Sequence, residues 1–170
     1  MAIPLEPSTG DPRDTSDAIA ELYGRYGADL FRLAYRLTGT KEDAEDVVHD
    51  VFVGLPEKLE RYEERGRLDA WLRRVTARVA LMRLRSGRRR PTIQLERVDA
   101  SSESSGEPQL DLQAAVDGLP SHLRSVLVLK EIEGYSHAEI ADMLGISGVT
   151  SRVRLLRAMR KLRRILGGTR

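Results

Sequence analysis

The stretch from Ser136 to Arg164 constrains the fold of this chain more than any other, because its pattern predicts two helices joined by a tight turn. Ser136 and Glu139 have the spacing of a capping box, in which each side chain binds a free backbone N–H in the first turn of a helix. Gly145 follows at a position where a residue without a Cβ can leave a helix through positive φ. Ser147 can then cap a second helix. This order of elements predicts a helix-turn-helix, a motif typical of DNA binding.

The second of these helices carries strongly one-sided charge. From Thr150 to Arg170 there are eight basic residues and no acidic one, a net charge of +8. A buried face is predicted from apolar residues at spacings of three and four, which are Leu155, Ala158, Leu162 and Ile165. A basic run alone is often only a solvated helix face. Together with the capping box and the glycine turn, it indicates a surface for a polyanion such as DNA.

The composition excludes several other classes of protein. Of the 170 residues 41% are hydrophobic but only 5% are aromatic, which suits one or two small helical domains. The absence of cysteine excludes disulfides, cysteine-based zinc sites and thiol catalysis. Residues 1–15 hold three prolines and no apolar run, and no later stretch has the length of a membrane span. We therefore expect a disordered segment over residues 1–15 and a cytoplasmic protein without membrane insertion.

An apolar helical pattern follows this segment. It predicts a helix that begins at Ser16 or Asp17 and ends at Thr38. Two glycines, Gly24 and Gly27, weaken the pattern. The sequence therefore allows either two short helices or one helix that bends near Gly27.

Two helical segments of opposite charge come next. The first opens with a cap-like spacing between Thr40 and Asp43, and the segment 41–60 has seven acids and two bases, a net charge of −5. Pro56 within it would kink or end the helix. The segment 61–90 has eleven arginines against three acids, a net charge of +8. The predicted inward face of its helix consists of Leu68, Trp71, Leu72, Val75, Val79 and Leu84. Adjacent helices of opposite charge indicate two different partners.

A change in composition divides the chain into two modules. Ser86-Gly87, an arginine triplet and Pro91 end the amphipathic pattern, and a polar stretch rich in serine follows. We predict an all-α protein with two small helical domains joined by a flexible linker, the second containing the helix-turn-helix. The predicted ranges are 1–15 for the disordered N-terminus, 16–86 for the first domain, 87–109 for the linker and 110–168 for the second domain.

Motifs in both modules match those of a known family. The first module has Glu21-Leu22-Tyr23, Asp43-Ala44-Glu45-Asp46-Val47-Val48 and Ala70-Trp71-Leu72, and the second has Leu119-Pro120, Glu133-Gly134-Tyr135-Ser136 and Leu144-Gly145-Ile146-Ser147. Through these motifs the chain resembles the extracytoplasmic-function sigma factors, the two-domain branch of the bacterial sigma family. The resemblance implies a protein that directs core RNA polymerase to specific promoters and starts strand opening.

The resemblance also implies a role for each module. The acidic helix would bind the clamp of the largest polymerase subunit, through Asp43, Glu45, Asp46, Val47 and Asp50. The loop and the basic helix would hold the melted minus-ten element, through Arg61, Tyr62, Arg65, Gly66, Trp71, Arg74, Arg78 and Arg85. The second module would read the minus-thirty-five element in duplex DNA, through Val149, Thr150, Ser151, Arg152, Val153, Arg154 and Arg157. An anti-sigma factor is a further partner that the resemblance allows.

Three positions depart from the family pattern. Arg78 stands where the family usually has Asn and Met82 where it has Asp, which bears on the base chosen at the minus-ten element. Ser151 stands where the family has an apolar residue early in the recognition helix. The residue types still suit DNA, because arginine can bind guanine through two hydrogen bonds and valine can contact the methyl group of thymine.

Other functions account for fewer of these features. Glu45 and His49 share a helix face, but a closed metal site needs more His or Cys and a second segment. The remaining histidines, His122 and His137, lie near helix starts and are expected at the surface. No catalytic triad order or glycine-rich phosphate loop is present, so we expect no enzyme, cofactor, metal or small-molecule substrate. The main alternative is a helix-turn-helix regulator that acts without polymerase, and another is a mimic that binds an anti-sigma protein. A regulator that acts without polymerase does not explain the acidic helix, and a mimic that binds an anti-sigma protein does not explain the two basic segments.

Overall fold

Helices joined by short turns make up the part of the chain that the computed structural model describes, which is residues 12–62, 66–89 and 108–167. No β-strand occurs within these ranges, and the predicted all-α class is confirmed. The helices are α1 (Pro12–Thr38), α2 (Lys41–Val53), α3 (Leu55–Leu59), α4 (Leu68–Arg89), α5 (Pro108–Asp117), α6 (Ser121–Leu127), α7 (His137–Leu144) and α8 (Gly148–Gly167). A π-helical turn, Val128–Ile132, continues from α6. The chain divides into two compact units, the first ending at Met82 and the second beginning at Arg83.

The first helix begins earlier than predicted and ends at Thr38, as its sequence predicts. It begins at Pro12, before the predicted caps Ser16 and Asp17, so the predicted disorder over residues 1–15 is wrong for its last four residues. Residues 1–11 lie outside the described ranges, as do residues 90–107 of the predicted linker. Of the two alternatives that the sequence left open, the structure has the single helix, which is continuous through both glycines.

Packing against α2 explains this continuity. Leu30, Leu33 and Leu37 of α1 are at most 1% exposed, and the rings of Tyr23 and Phe52 meet edge to face with centroids 5.0 Å apart. Full burial of one leucine stabilises by about 1.5–3 kcal/mol, whereas glycine within a helix costs about 1 kcal/mol. The packing therefore outweighs the two glycines.

The second helix begins and ends where its sequence predicts. The hydroxyl of Thr40 accepts a hydrogen bond from the backbone N–H of Asp43 over 3.2 Å, which confirms the cap. The helix ends at Gly54, and Pro56 lies in the first turn of α3, where a missing backbone N–H costs nothing. The sequence left open whether Pro56 kinks or ends the acidic helix, and the structure ends α2 before the proline is reached. The buried face of α2 consists of Ala44, Val47, Val48, Val51 and Phe52.

The fourth helix buries a different stripe from the predicted one. Its fully buried residues are Leu72, Thr76, Ala77 and Ala80, with Leu81 at 3% exposure. Val75 and Val79 of the predicted stripe are only half-buried. The small residues Ala77 and Ala80 thus face the interior, and the larger β-branched residues flank them. The predicted inward face is correct only at Leu72.

The second unit packs α5, α6 and α8 around one hydrophobic core. Its members are Ala115, Val116, Leu119, Leu123, Leu127, Ala158 and Leu162. Arg124 is buried beside this core at 7% exposure, and its guanidinium donates hydrogen bonds to the carbonyls of Asp117 at 3.0 Å and Leu119 at 3.4 Å. A cation at this point satisfies carbonyls at the end of α5 that have no partner within that helix.

The helix-turn-helix is confirmed in detail. The hydroxyl of Ser136 accepts from the N–H of Glu139 at 3.2 Å, and the Glu139 carboxylate accepts from the N–H of Ser136 at 2.8 Å. Gly145 ends α7 in the left-handed region at φ 65°. Ser147 then caps α8 by accepting from the N–H of Thr150 at 3.0 Å. The turn between the two helices therefore has the geometry that its residues predict.

Candidate nucleic-acid interface

The acidic residues of α2 form an exposed face opposite its buried stripe. Glu45, Asp46 and Asp50 are exposed, and Asp43 is half-buried and hydrogen-bonded to the Thr40 hydroxyl at 2.8 Å. Val47 was predicted on the same binding face, but it is 0% exposed and belongs to the core. That prediction is wrong because Val47 continues the period of Ala44, Val51 and the other buried residues.

An apolar groove borders this acidic face. It has a volume of about 810 Å³ and runs between α1 and α2. Tyr23, Phe31, Phe52 and Val53 are among its lining residues, together with Glu45 and His49. Tyr23 is 57% exposed and Val53 67% exposed, so large apolar groups lie at the surface next to carboxylates. Such a groove was not predicted, because it depends on how two helices pack.

An aromatic pair stands at the start of the basic helix α4. The rings of Tyr62 and Trp71 lie with centroids 4.9 Å apart and planes inclined by 47°. Gly66, between them in sequence, has a φ of 69°, which L side chains rarely adopt. Arg61 is exposed, and Arg65 lies outside the described residues. Both rings are half-buried, so the predicted minus-ten loop contributes a partly exposed aromatic pair on which a base could stack.

A row of arginines extends along α4 from this aromatic pair. Arg74 is half-buried and Arg78 is exposed. Arg85 is exposed as well, but its guanidinium donates a hydrogen bond to the backbone carbonyl of Met143 in α7. The spacings of three and four place the arginines with Trp71 on one side of the helix. Met82 occupies the same row and is 62% exposed, which makes it an apolar group among cations. The structure brings these predicted residues together on one face.

The recognition helix α8 presents a mixed apolar and basic face. Val149 is 66% exposed and Val153 40% exposed, and Arg152 and Arg157 are exposed beside them. Thr150 is half-buried, and its hydroxyl shares a hydrogen bond with Ser147 at 2.9 Å. Arg154 is also half-buried, because it lies toward the buried side of the helix. Leu156 is absent from the predicted contact residues, although it is 49% exposed and follows Val149 and Val153 at helical spacing.

Ser151 lies on the buried side of α8 and cannot contact a base. It is 0% exposed and continues the stripe of Ala158 and Leu162. Its hydroxyl is 2.9 Å from Nδ1 of His137, the first residue of α7. The prediction of Ser151 as a DNA contact is therefore wrong, as is the prediction of an exposed His137, which is half-buried. Ile165, at the end of the predicted buried stripe, is 38% exposed, whereas Ser151, one turn before the predicted start, is buried. The buried stripe is therefore shifted by one turn toward the start of α8.

The surroundings of His137 disfavour its protonation. Burial lowers the pKa of the imidazole below its ordinary value, and the positive charges of Lys130 and then Arg152 lower it further. Glu131 acts in the opposite direction. The neutral imidazole is thus the form that this packing favours.

Within the described ranges, no group of three or more His, Cys, Asp or Glu residues could hold a metal ion, and this includes the region of Glu45 and His49. None of the described helices combines the length and the apolar character that a bilayer span requires.

Comparison with known proteins gives the same family for both units. The model of sigma-70 region 2 matches residues 22–90, and the model of sigma-70 region 4 matches residues 109–162. The chain is 35% identical to the ECF RNA polymerase sigma factor SigE of Mycolicibacterium smegmatis, over 84% of this chain and 59% of the relative. It is 32% identical to the ECF RNA polymerase sigma factor SigM of Mycobacterium tuberculosis, over 88% of this chain and 78% of the relative.

Solved structures share the fold. The sigma factor RpoE of Bartonella quintana, crystallised with the anti-sigma factor NepR, aligns with a TM-score of 0.61 at 24% identity, over 91% of this chain and 99% of that one. CnrH in complex with the cytosolic domain of CnrY aligns with a TM-score of 0.56 at 28% identity, over 91% of each chain.

Proposed function

Because this chain belongs to the extracytoplasmic-function RNA polymerase sigma factors, we propose that it directs core polymerase to specific promoters through three separate surfaces. One surface binds the polymerase, one holds melted DNA and one reads duplex DNA. The observation that carries this proposal is the segregation of charge onto separate helix faces, acidic on α2 and arginine-rich on α4 and α8. A helix-turn-helix regulator that acts without polymerase is not favoured, because it needs no sigma region 2.

The polymerase surface consists of the exposed acids of α2 and the apolar groove beside them. Glu45, Asp46 and Asp50 supply charge for a basic partner, and the groove supplies area that a partner can bury. Charged rims around an apolar centre are typical of protein interfaces. The clamp of the largest polymerase subunit is the expected partner. Val47 contributes only by holding α2 on the core.

The melted-DNA surface consists of the aromatic pair and the arginine row. Tyr62 and Trp71 offer rings on which an unstacked base can lie, and Arg74, Arg78 and Arg85 offer positive charge along the strand. Single strands bind well to this combination, because every base has a π-face and every linkage a phosphate. We assign this surface to the minus-ten element after strand opening.

The duplex surface consists of the first turns of α8. Val149 and Val153 can contact thymine methyl groups, and Arg152 can bind guanine through two hydrogen bonds. Arg154 and Arg157 flank them, and Arg160 and Arg164 further along suit phosphates, which position a protein without specifying sequence. We assign this surface to the minus-thirty-five element in the major groove.

An anti-sigma protein is a second proposed partner. The aligned structure of RpoE contains an anti-sigma factor, and the exposed apolar groove of this chain is a surface that such a protein could cover. Binding there would compete with the polymerase for the same face.

The test uses the full chain bound to core polymerase on a forked promoter fragment, with an upstream duplex and a single-stranded non-template tail. The variant Arg78→Ala should weaken binding of the fork but leave a fully duplex minus-thirty-five fragment unaffected. Arg152→Ala should weaken binding of both. Arg25→Ala, which removes an exposed arginine of α1, is the matched control. Equal losses in all three variants would contradict the assignment of separate surfaces.

A further inference from the structure

A polar pair joins the two helices of the helix-turn-helix at a buried position. Ser151 of α8 is 0% exposed, and its hydroxyl lies 2.9 Å from Nδ1 of His137 on α7. The backbone N–H of Ser151 already donates to the carbonyl of Ser147 at 3.0 Å, so only the side chain is available to link α8 to α7. A buried hydroxyl without a partner would cost stability, so the imidazole has a defined role here.

The link lies where it can orient the base-contacting side chains. Ser151 is in the first turn of α8, between Thr150 and Arg152, while Val149 and Val153 lie on the opposite side of the same turn. A hydrogen bond fixes direction as well as distance, whereas two apolar groups in contact can slide. The rotation of this turn about its axis therefore depends on where the imidazole holds the Ser151 hydroxyl.

We propose that His137 is a positioning residue for promoter recognition, which aligns the first turn of α8 through its hydrogen bond to Ser151. His137 itself is half-buried on α7 and touches no DNA in this assignment. The proposal rests on the proposed role of α8 in reading duplex DNA, and the experiment below separates the failure of one from the failure of the other.

The charged groups around His137 make this alignment sensitive to pH. Lys130 and Glu131 face it from the π-helical turn and Arg152 from α8, and Glu139 lies on its own helix. A proton on the imidazole would add positive charge at the start of α7, where the helix dipole is also positive. Because the pKa of His137 is lowered in the packed arrangement, a displaced imidazole binds protons more readily. Acid therefore favours displacement, and it does so as the pH falls below the ordinary histidine value of about 6.5.

The experiment measures the sequence selectivity of the full chain bound to core polymerase. The probes are a minus-thirty-five duplex, selected by the wild-type chain from a randomised library, and a scrambled duplex of equal length and composition. Selectivity is the ratio of the two dissociation constants. The variants are His137→Ala, Ser151→Ala, their combination, and His137→Asn, whose amide can replace Nδ1 but does not titrate. Arg152→Ala, which removes a proposed base contact, reports separately whether α8 reads the duplex. His122→Ala, an exposed histidine of the same unit, is the matched control.

We expect His137→Ala to reduce selectivity roughly two- to tenfold, the loss of one hydrogen bond, with little change on the scrambled duplex. Ser151→Ala should cause a similar loss, and the combination no further loss. The selectivity of the wild type should decline between about pH 7.5 and pH 5.5. His137→Asn should keep the selectivity and should not show this decline. His122→Ala should behave as the wild type. Thermal melting at each pH confirms that every variant is folded during the measurement.

Three outcomes would overturn the proposal. If His137→Ala keeps full selectivity while Arg152→Ala loses it, α8 reads DNA but His137 does not position it. If His137→Ala and Arg152→Ala both keep full selectivity, neither the hydrogen bond nor the proposed guanine contact specifies the duplex, and the proposed function of this surface fails as well. If His137→Ala does not fold, Ser151→Ala decides, because full selectivity in the folded Ser151→Ala variant would exclude the hydrogen bond as the contact that aligns α8.

Discussion

Reversal of two charges on α2 tests the polymerase surface most specifically. Asp46 and Asp50 are both exposed and lie one turn apart, and neither belongs to the buried face. Asp43 is less suitable, because its carboxylate is hydrogen-bonded to the Thr40 cap that begins α2. Asp50 lies 3.9 Å from Nδ1 of His49, a contact between two exposed side chains at the surface. The double variant Asp46→Lys and Asp50→Lys therefore changes the surface with little effect on the fold.

The expected loss of affinity follows from the exposure of these groups. Each exposed ion pair with a basic partner contributes about 0.2–1 kcal/mol, and reversal replaces each attraction by a repulsion of similar size. Two reversals then cost about 1–4 kcal/mol, roughly a five- to 700-fold increase in the dissociation constant. The loss should shrink at high salt, because exposed charges are screened. The free energy of unfolding should change by only about 0.5 kcal/mol, as is usual for surface substitutions.

The assay is competition of the unlabelled chain against a labelled wild-type chain for core polymerase. The native sequence has no cysteine, so a single introduced cysteine can carry the label. The matched control is Asp17→Lys with Glu21→Lys, two exposed acids one turn apart on α1, which makes the same change in net charge. An equal loss of affinity in both double variants would mean that the net charge of the chain, rather than the α2 face, causes the effect. An unchanged dissociation constant for the α2 variant would refute the assignment of this face.

Three further predictions concern the second unit. Arg124→Met should lower the free energy of unfolding by about 1.5–3 kcal/mol in a denaturant titration, because two carbonyls lose a charged donor; an unchanged midpoint would contradict this role. Ser136→Ala should cost about 1 kcal/mol in the same titration through loss of the α7 cap, and a loss near zero would mean that the capping box contributes nothing. Arg152→Ala should weaken binding to the selected duplex more than to a scrambled one, whereas Arg164→Ala should weaken both equally. If Arg152→Ala weakens binding to the selected and the scrambled duplex equally, Arg152 contacts a phosphate rather than a base.

Local signals in the sequence predicted the helix ends well. Thr40, Ser136 and Ser147 each cap the helix that their spacing predicts, because a cap depends only on residues within one turn. The place of Pro56 is equally local, since it lies in the first turn of α3, where a helix does not need the backbone N–H that proline lacks.

The faces of the helices were harder to predict. Val47 and Ser151 were both assigned to binding surfaces, and both are fully buried. Val47 was assigned to the polymerase-binding face because it lies in the family motif, although its side chain is apolar. Ser151 was assigned to the recognition positions through the family resemblance, although the apolar stripe of α8 leads back to it. The imidazole that satisfies its hydroxyl comes from a different helix, and the sequence does not show this pairing.

Features that depend on packing between helices lay beyond the sequence. The continuity of α1 through Gly24 and Gly27 and the groove beside α2 both follow from the contact between two helices. The buried stripe of α4 favours Ala77 and Ala80 over Val75 and Val79, which a count of apolar residues does not anticipate. Hydrophobic periodicity gives the period of a stripe more reliably than its centre.

The most direct test of the central claim is run-off transcription with core RNA polymerase on a library of genomic fragments. With the purified chain, we expect initiation at a limited set of start sites that share sequence elements at both upstream positions. Core polymerase alone should use none of these sites, and the α2 double variant should lose them all at limiting concentration. Initiation that is indifferent to the added chain, while the chain still binds duplex DNA by itself, would contradict the account.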